Sequence, residues 1–96
     1  MTKADILKNI SDQTGVDKTD VQMIAEKFMD EIKNSIQKNN NVYLRGFGSF
    51  IVKTRAEKTG RDISKNTAVI IPAHNIPSFK PSKTFVESVK KNVPVG

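Results

Sequence analysis

Five basic residues, Lys53, Arg55, Lys58, Arg61 and Lys65, recur every two to four positions in mid-chain, and only Glu57 and Asp62 oppose them. Cationic side chains at this spacing displace the counterions around a polyanion, and each phosphate neutralised releases ions to the bulk. The plain alternative is a solvated charged hairpin. Such an arm would be held in one geometry against its conformational entropy, with nothing on it that builds a core. The groove of a nucleic-acid duplex supplies both missing partners, phosphates for the charges and a wall for the ribbon. Ile63 lies at the tip of the same segment, an apolar side chain with no core to enter. Residues of this kind act as wedges between base steps where a protein kinks a duplex, although an isolated surface isoleucine is also common.

No catalytic constellation competes with this reading. The chain has no cysteine and a single histidine, His74, so disulfides, thiolate metal sites and His-cluster zinc sites are excluded. Gly46-Phe47-Gly48 lacks the third glycine of a nucleotide-binding loop and is followed by a strand pattern rather than a helix. Glu26, Asp30 and Glu31 interleave with Lys27 and Lys33, which is ordinary charge pairing on a solvated helix face. The expectation is a non-enzymatic chain with no cofactor, no metal and no small-molecule substrate.

The excess charge is localised. The net charge is +6, but residues 1–40 carry six lysines against seven acids, whereas residues 41–96 carry ten basic residues against three acids. An asymmetry of this kind points to one anion-binding part rather than a generally basic surface. The start of the chain, MTKADILKNI, is polar and amphipathic, so neither a signal peptide nor a membrane contact is expected, and the location expected is cytoplasmic.

The elements that must carry these residues follow from periodicity. Thr2 and Asp5 read as an N-cap and its partner three residues on, followed by Ile6, Leu7 and Ile10 on one face and a stop at Thr14-Gly15. A first helix is expected over about 3–13. Val21, Ile24, Ala25, Phe28, Ile32 and Ile36 recur at steps of three and four, and Asn39-Asn40-Asn41 ends the run, which predicts a second, longer helix and hence a helical hairpin. Val42–Leu44 is strand-like, Arg45–Gly48 turns, and Ser49–Ala56 alternates Phe50, Val52 and Thr54 with Ile51, Lys53 and Arg55. Apolar residues thin out over 57–67, so the distal part of the hairpin is expected to protrude, with Asn66 suited to positive φ at the tip. A third strand is expected over Ala68–Ile76, with Pro72 tolerated at an edge. Pro77 and Pro81 bracket an expected connector, and a last helix starts near Ser82 and runs to about Lys91, with Phe85, Val86 and Val89 on one face. The order read is α-α-β-β-β-α in one domain over 1–96, with an arm at about 53–75 and a tail at about 92–96. A core this small is most simply enlarged by a second copy of the chain.

Three blocks of residues add a resemblance. Arg45-Gly46-Phe47-Gly48-Ser49-Phe50, Arg55-Ala56-Glu57-Lys58-Thr59-Gly60-Arg61 and Pro77-Ser78-Phe79-Lys80-Pro81-Ser82-Lys83 stand in the order and at the spacing of matching blocks in the HU and integration host factor family. The chain resembles those bacterial DNA-bending proteins over about residues 2–91. The resemblance implies an α+β fold: a helical hairpin base, a three-stranded antiparallel sheet with a protruding β-ribbon arm, and a short C-terminal helix, assembled as an intertwined dimer. It implies double-stranded DNA as partner, with arms in the minor groove, a nucleoid location, and either a homodimer or a mixed dimer with a paralogue. By position, Lys53, Arg55, Lys58, Arg61 and Lys65 are expected as arm contacts and Ile63 as the wedge. Arg45, Lys80 and Lys83 are expected on phosphates at the body, with Lys3 near a helix start. Phe28, Phe47, Phe50 and Phe79 are expected in the dimer core. One departure stands out: the family's tip usually places a proline where this chain has Ile63, beside Asp62. The alternative reading is a site-specific bending subunit like integration host factor.

Overall fold

The computed structural model describes residues 1–62 and 67–96. They fall into two compact units, residues 1–35 and 36–96. Helix α1 (Lys3–Thr14) begins with a capping box: the Thr2 side chain accepts from the Asp5 N–H while the Asp5 carboxylate accepts from the Thr2 N–H. It closes at Gly15, whose N–H donates to the Ser11 carbonyl. Helix α2 (Lys18–Gln37) follows, and Asn39, with φ +63, ends it in the left-handed conformation that asparagine tolerates.

The first unit has almost no interior of its own. Leu7 and Val21 are the only buried hydrophobic side chains among the described residues, at 4% and 6% exposure. Ile24 and Phe28, on the apolar face that periodicity identified, remain 62% and 53% exposed. Together with Ile6, Ile10 and Val16 they border an open apolar depression over Leu7 and Val21.

The second unit is an antiparallel sheet with an appended ribbon and helix. Strands β1 (Val42–Leu44), β2 (Gly48–Arg55) and β5 (His74–Pro81) form a three-stranded sheet in the order β1-β2-β5, and β3 (Lys58–Asp62) and β4 (Thr67–Ile71) form a two-stranded sheet of their own. Helix α3 (Lys83–Asn92) starts at its N-cap, Ser82, whose hydroxyl accepts from the Phe85 N–H at 3.2 Å. The expected three-stranded sheet with a β-ribbon is present, but the run expected as one strand over Ala68–Ile76 is divided between β4 and β5, and β3 is a further strand. The sheet ladder ends at Arg55 opposite His74, and the ribbon ladder resumes at Lys58 opposite Ile71. Pro72 lies in the gap and has no N–H to donate, so the ladder is interrupted there. Asn92, expected in the tail, belongs to α3, its side chain donating to the Ser88 carbonyl at 2.8 Å.

The segment 77–81 also differs from expectation, for it is strand rather than connector. The Val52 N–H donates to the Asn41 side chain at 3.1 Å, on the β1 side of β2, so Val52 directs no backbone group at its opposite residue, Pro77. The alternation of an antiparallel ladder then turns the nitrogens of Pro77 and, four residues on, Pro81 toward the open edge of β5, where a missing donor costs nothing.

Two glycines set the turn between β1 and β2. Gly46 has φ +83 at the third position of a turn closed by the Phe47 N–H on the Leu44 carbonyl, the place where a left-handed residue is required. Gly48 is required for another reason. A Cβ built there would lie 2.6 Å from the Lys80 carbonyl oxygen and 2.6 Å from the Phe79 ring. Gly48→Ala is therefore expected to destabilise the protein by about 1–3 kcal/mol through overpacking. A thermal unfolding midpoint equal to that of the parent chain would contradict this.

Candidate nucleic-acid interface

Directly opposed residues in an antiparallel ladder share a face, and successive residues alternate. On β2 and β5 this divides the sheet cleanly. One face carries Phe50 opposite Phe79, Val52 opposite Pro77, and Thr54 opposite Asn75, the last pair joined by a 2.7 Å side-chain hydrogen bond. The ring centroids of Phe50 and Phe79 are 5.0 Å apart, as are those of Phe47 and Phe79, and Phe85 of α3 stacks on Phe47 at 5.8 Å. The expected aromatic set of Phe47, Phe50 and Phe79 is therefore brought together, with Phe85 added. Phe28 lies in the other unit, at the apolar depression.

The opposite face is cationic. Lys53 opposite Ile76, Arg55 opposite His74, and Ser49 opposite Lys80 all project from it, and Tyr43, paired with Ser49, joins them. Lys53, Arg55, Lys80 and Tyr43 are exposed. At the turn end of the sheet, Arg45, Lys80 and Lys83 line one shallow depression with Tyr43, Ser49 and Ile51. The Ser82 N–H donates to the Phe47 carbonyl at 2.9 Å, which ties the start of α3 to the β1–β2 turn and so holds Arg45 and Lys83 near each other. The three residues expected at phosphates on the body thus converge.

The ribbon places its charges differently. Lys58 and Arg61 are three residues apart on β3, so they project from opposite faces. Lys58 and Arg61 are exposed, and so is every residue of β4, Val69, Ile70 and Ile71 included. Since Val69 and Ile71 lie on one face and Ile70 on the other, no layer of the described protein covers either side of the ribbon. Ile63, Lys65 and Asn66 lie outside the described residues, and Asp62 opposite Thr67 is the last described rung.

Lys3 behaves unlike the rest. Its amine donates to the Glu26 carboxylate at 3.0 Å, and that contact, with a further hydrogen bond from Gln22, holds the Glu26 carboxyl below the usual carboxylate range. The ion pairs among the described residues are Lys3–Glu26 and Lys8–Asp12, both within residues 1–35. Every described cation of residues 36–96 is therefore without an acidic partner among the described residues. Among the described residues no group of three or more His, Asp or Glu could hold a metal ion.

Reading the sequence alone missed three features of this surface: the apolar side chains of β4, Tyr43 on the cationic face, and Phe85 in the aromatic cluster. The alternation rule carried through 68–71 would have exposed the first, because apolar residues fall on both faces of a strand whose partner, β3, offers no core.

The family model described as "Bacterial DNA-binding protein" matches residues 1–90. The chain is similar to DNA-binding protein HU of Thermus thermophilus, 33% identical over 91 residues, which cover 95% of this chain and 94% of that protein. It is also similar to integration host factor subunit beta of Marinobacter nauticus, 34% identical over 97 residues, covering 100% of this chain and 99% of that one. Among solved structures, the Anabaena HU–DNA cocrystal structure superposes with a TM-score of 0.89 at 28% identity, covering 94% of this chain and 98% of that one.

Proposed function

The chain belongs to the bacterial DNA-binding protein family, and on that premise we propose that it is an architectural protein that binds double-stranded DNA, largely without regard to sequence, and bends it. The observation that carries this is the sheet face of Lys53, Arg55 and Lys80, with Arg45 and Lys83 beside it, free of acidic partners among the described residues and followed by a ribbon whose described residues are exposed on both faces. Phosphate contacts of this kind position a protein on a duplex without reading its bases. A ribbon with Lys58 on one face and Arg61 on the other suits a minor groove, where two phosphate-lined walls flank it. The apolar Val69, Ile70 and Ile71 then meet the sugar edges, since no layer of the described residues covers them. Lys65 extends the cationic set and Ile63 is the wedge at the tip, both outside the described residues. Lys3 contributes least, because DNA must compete with Glu26 for its amine.

The working form is a homodimer, or a mixed dimer with a paralogue, built as one DNA-binding domain over 1–96 with the arm at about 53–75. Support comes from the exposed apolar depression bordered by Ile24 and Phe28, and from the Phe47, Phe79 and Phe85 rings, which stay partly exposed in the single chain. The reading assigns no catalytic step and places the protein on the nucleoid. Among the described residues no helix is long and apolar enough to cross a membrane.

A titration of the protein on linear, nicked and four-way-junction duplexes tests the proposal. Tighter binding to the nicked and junction forms is expected, because predistorted DNA lowers the bending cost. Equal affinity for all three would remove the architectural reading, and no binding in dilute salt would remove DNA binding itself. The 34% identity to an integration host factor subunit favours one rival, a site-specific bender. A preference above roughly 10³ for a defined duplex over random sequence would establish that rival instead.

A further inference from the structure

We infer that His74 is a further phosphate contact where the sheet gives way to the ribbon, and that it makes this contact only with its imidazole protonated. The inference rests on the DNA-binding reading above and adds to it a residue, and a dependence on pH, that the reading does not contain.

The returning side of the hairpin is short of charge. From Thr67 to Phe79 the one ionisable side chain is His74, whereas the outgoing residues 53–61 carry Lys53, Arg55, Lys58 and Arg61. His74 stands on the last rung of the sheet, directly opposite Arg55, and the first rung of the ribbon sets Lys58 opposite Ile71. A duplex that spans the sheet face and the ribbon passes this point. Directly opposed residues have Cβ atoms about 5 Å apart. A phosphate drawn to Arg55 therefore comes within reach of the imidazole, which is exposed. Strand β2 is the one that β5 pairs with, and on the face of His74 it offers Arg55 and, two residues along, Lys53. Glu57, between β2 and β3, is the acid nearest this rung in the sequence, and neither ion pair among the described residues includes it.

One hydrogen bond makes the contact depend on charge. Nδ1 of His74 lies 2.9 Å from the Pro72 carbonyl oxygen. A carbonyl only accepts, so Nδ1 carries a hydrogen and donates it. In the neutral ring Nε2 is then an acceptor. A phosphate oxygen is an acceptor as well, and the two cannot share a hydrogen bond. Protonation gives Nε2 an N–H and the ring a positive charge, and it leaves the bond to Pro72 in place. The imidazolium then donates to a phosphate oxygen in a charge-assisted hydrogen bond. Binding of the duplex takes up protons, so affinity rises as pH falls through the imidazole range and levels off beyond it. Lysine and arginine, charged throughout that range, add no such dependence.

The plain alternative is that His74 only braces the chain after Pro72. The test compares the full-length protein with His74→Gln and His74→Lys on one duplex at constant ionic strength, at about pH 5.5 and about pH 8, on either side of the imidazole range. The parent should bind about 2- to 30-fold more tightly at the lower pH, taking two exposed ion pairs per dimer at ordinary surface strength. The glutamine variant keeps every other ionisable group and should lose that difference. The lysine variant should bind at the higher pH about as tightly as the parent does at the lower. His74 is the only histidine, so the imidazole proton signals in NMR belong to it alone, and their titration midpoint should rise when the duplex is bound. A brace would leave that midpoint where it is. An unmoved midpoint, a parent with no pH difference, a difference that persists in the glutamine variant, or a lysine variant no tighter than its parent at the higher pH each overturns the inference while DNA binding stands. Failure of the parent to bind at either pH removes the reading beneath it. Circular dichroism at both pH values confirms that the variants are folded.

Discussion

Glutamine at Lys53, Arg55, Lys58 and Arg61 together is expected to weaken duplex binding by about 10³ or more at low salt and to lower the salt slope by up to about 7. The size follows from counting. Each of the four is exposed and none has an acidic partner among the described residues, so each is available to neutralise one phosphate. A dimer presents each of them twice. The fold should survive the change. The four project from solvated strand faces, and surface substitutions away from special features move stability by only about 0.5 kcal/mol each. Glutamine is shorter than either side chain but keeps a polar, hydrogen-bonding end, so the loss reports chiefly charge. Titrations at several salt concentrations, beside a circular dichroism spectrum of the free variant, make the measurement. A slope lowered by only one or two would mean that most of these cations face solvent in the complex, and the proposed grip would have to lie elsewhere.

The parts of this surface that sequence disclosed, and the parts it did not, divide along physical lines. Signals that act locally were legible. The Thr2–Asp5 capping box and the Ser82 cap depend on residues three apart, and both form as expected. The second helix follows from the spacing of Val21 to Ile36, and the alternation of Phe50, Val52 and Thr54 with Ile51, Lys53 and Arg55 gave the two sheet faces directly. What escaped depends on partners distant in the chain. Whether Pro77 breaks a strand depends on which way its nitrogen faces, and that is fixed by Val52 bonding to Asn41 across the sheet. The division of the arm into β2–β5 and β3–β4 depends on Pro72 standing where the ladder would continue opposite residue 57, a register no local pattern reveals. Lys3 looked like any other lysine near a helix start, and only the fold shows Glu26, 23 residues away, engaging it.

Phe28→Asp is expected to weaken dimerisation and folding together, lowering the thermal midpoint by more than about 10 °C at a given protein concentration. The argument starts from how little the single chain buries. Leu7 and Val21 are the only buried hydrophobic side chains among the described residues, and Phe28 stands 53% exposed at the border of an apolar depression. Full burial of a phenylalanine contributes about 1.5–3 kcal/mol, and in a symmetric dimer the side chain counts twice. An aspartate in its place would have to be desolvated without a partner, which costs several kcal/mol more unless the interface opens. Since neither unit has a substantial interior alone, opening the interface removes the folded state with it, and DNA binding goes too, because two arms must act from one body. Phe28→Leu keeps an apolar group and should preserve the dimer at modest cost. Sedimentation equilibrium and unfolding at two protein concentrations separate the outcomes. Were the parent chain a folded monomer, or the aspartate variant as stable and as dimeric as its parent, the apolar face bordered by Ile24 and Phe28 would not be the subunit interface, and its exposure would have to serve something other than a second copy.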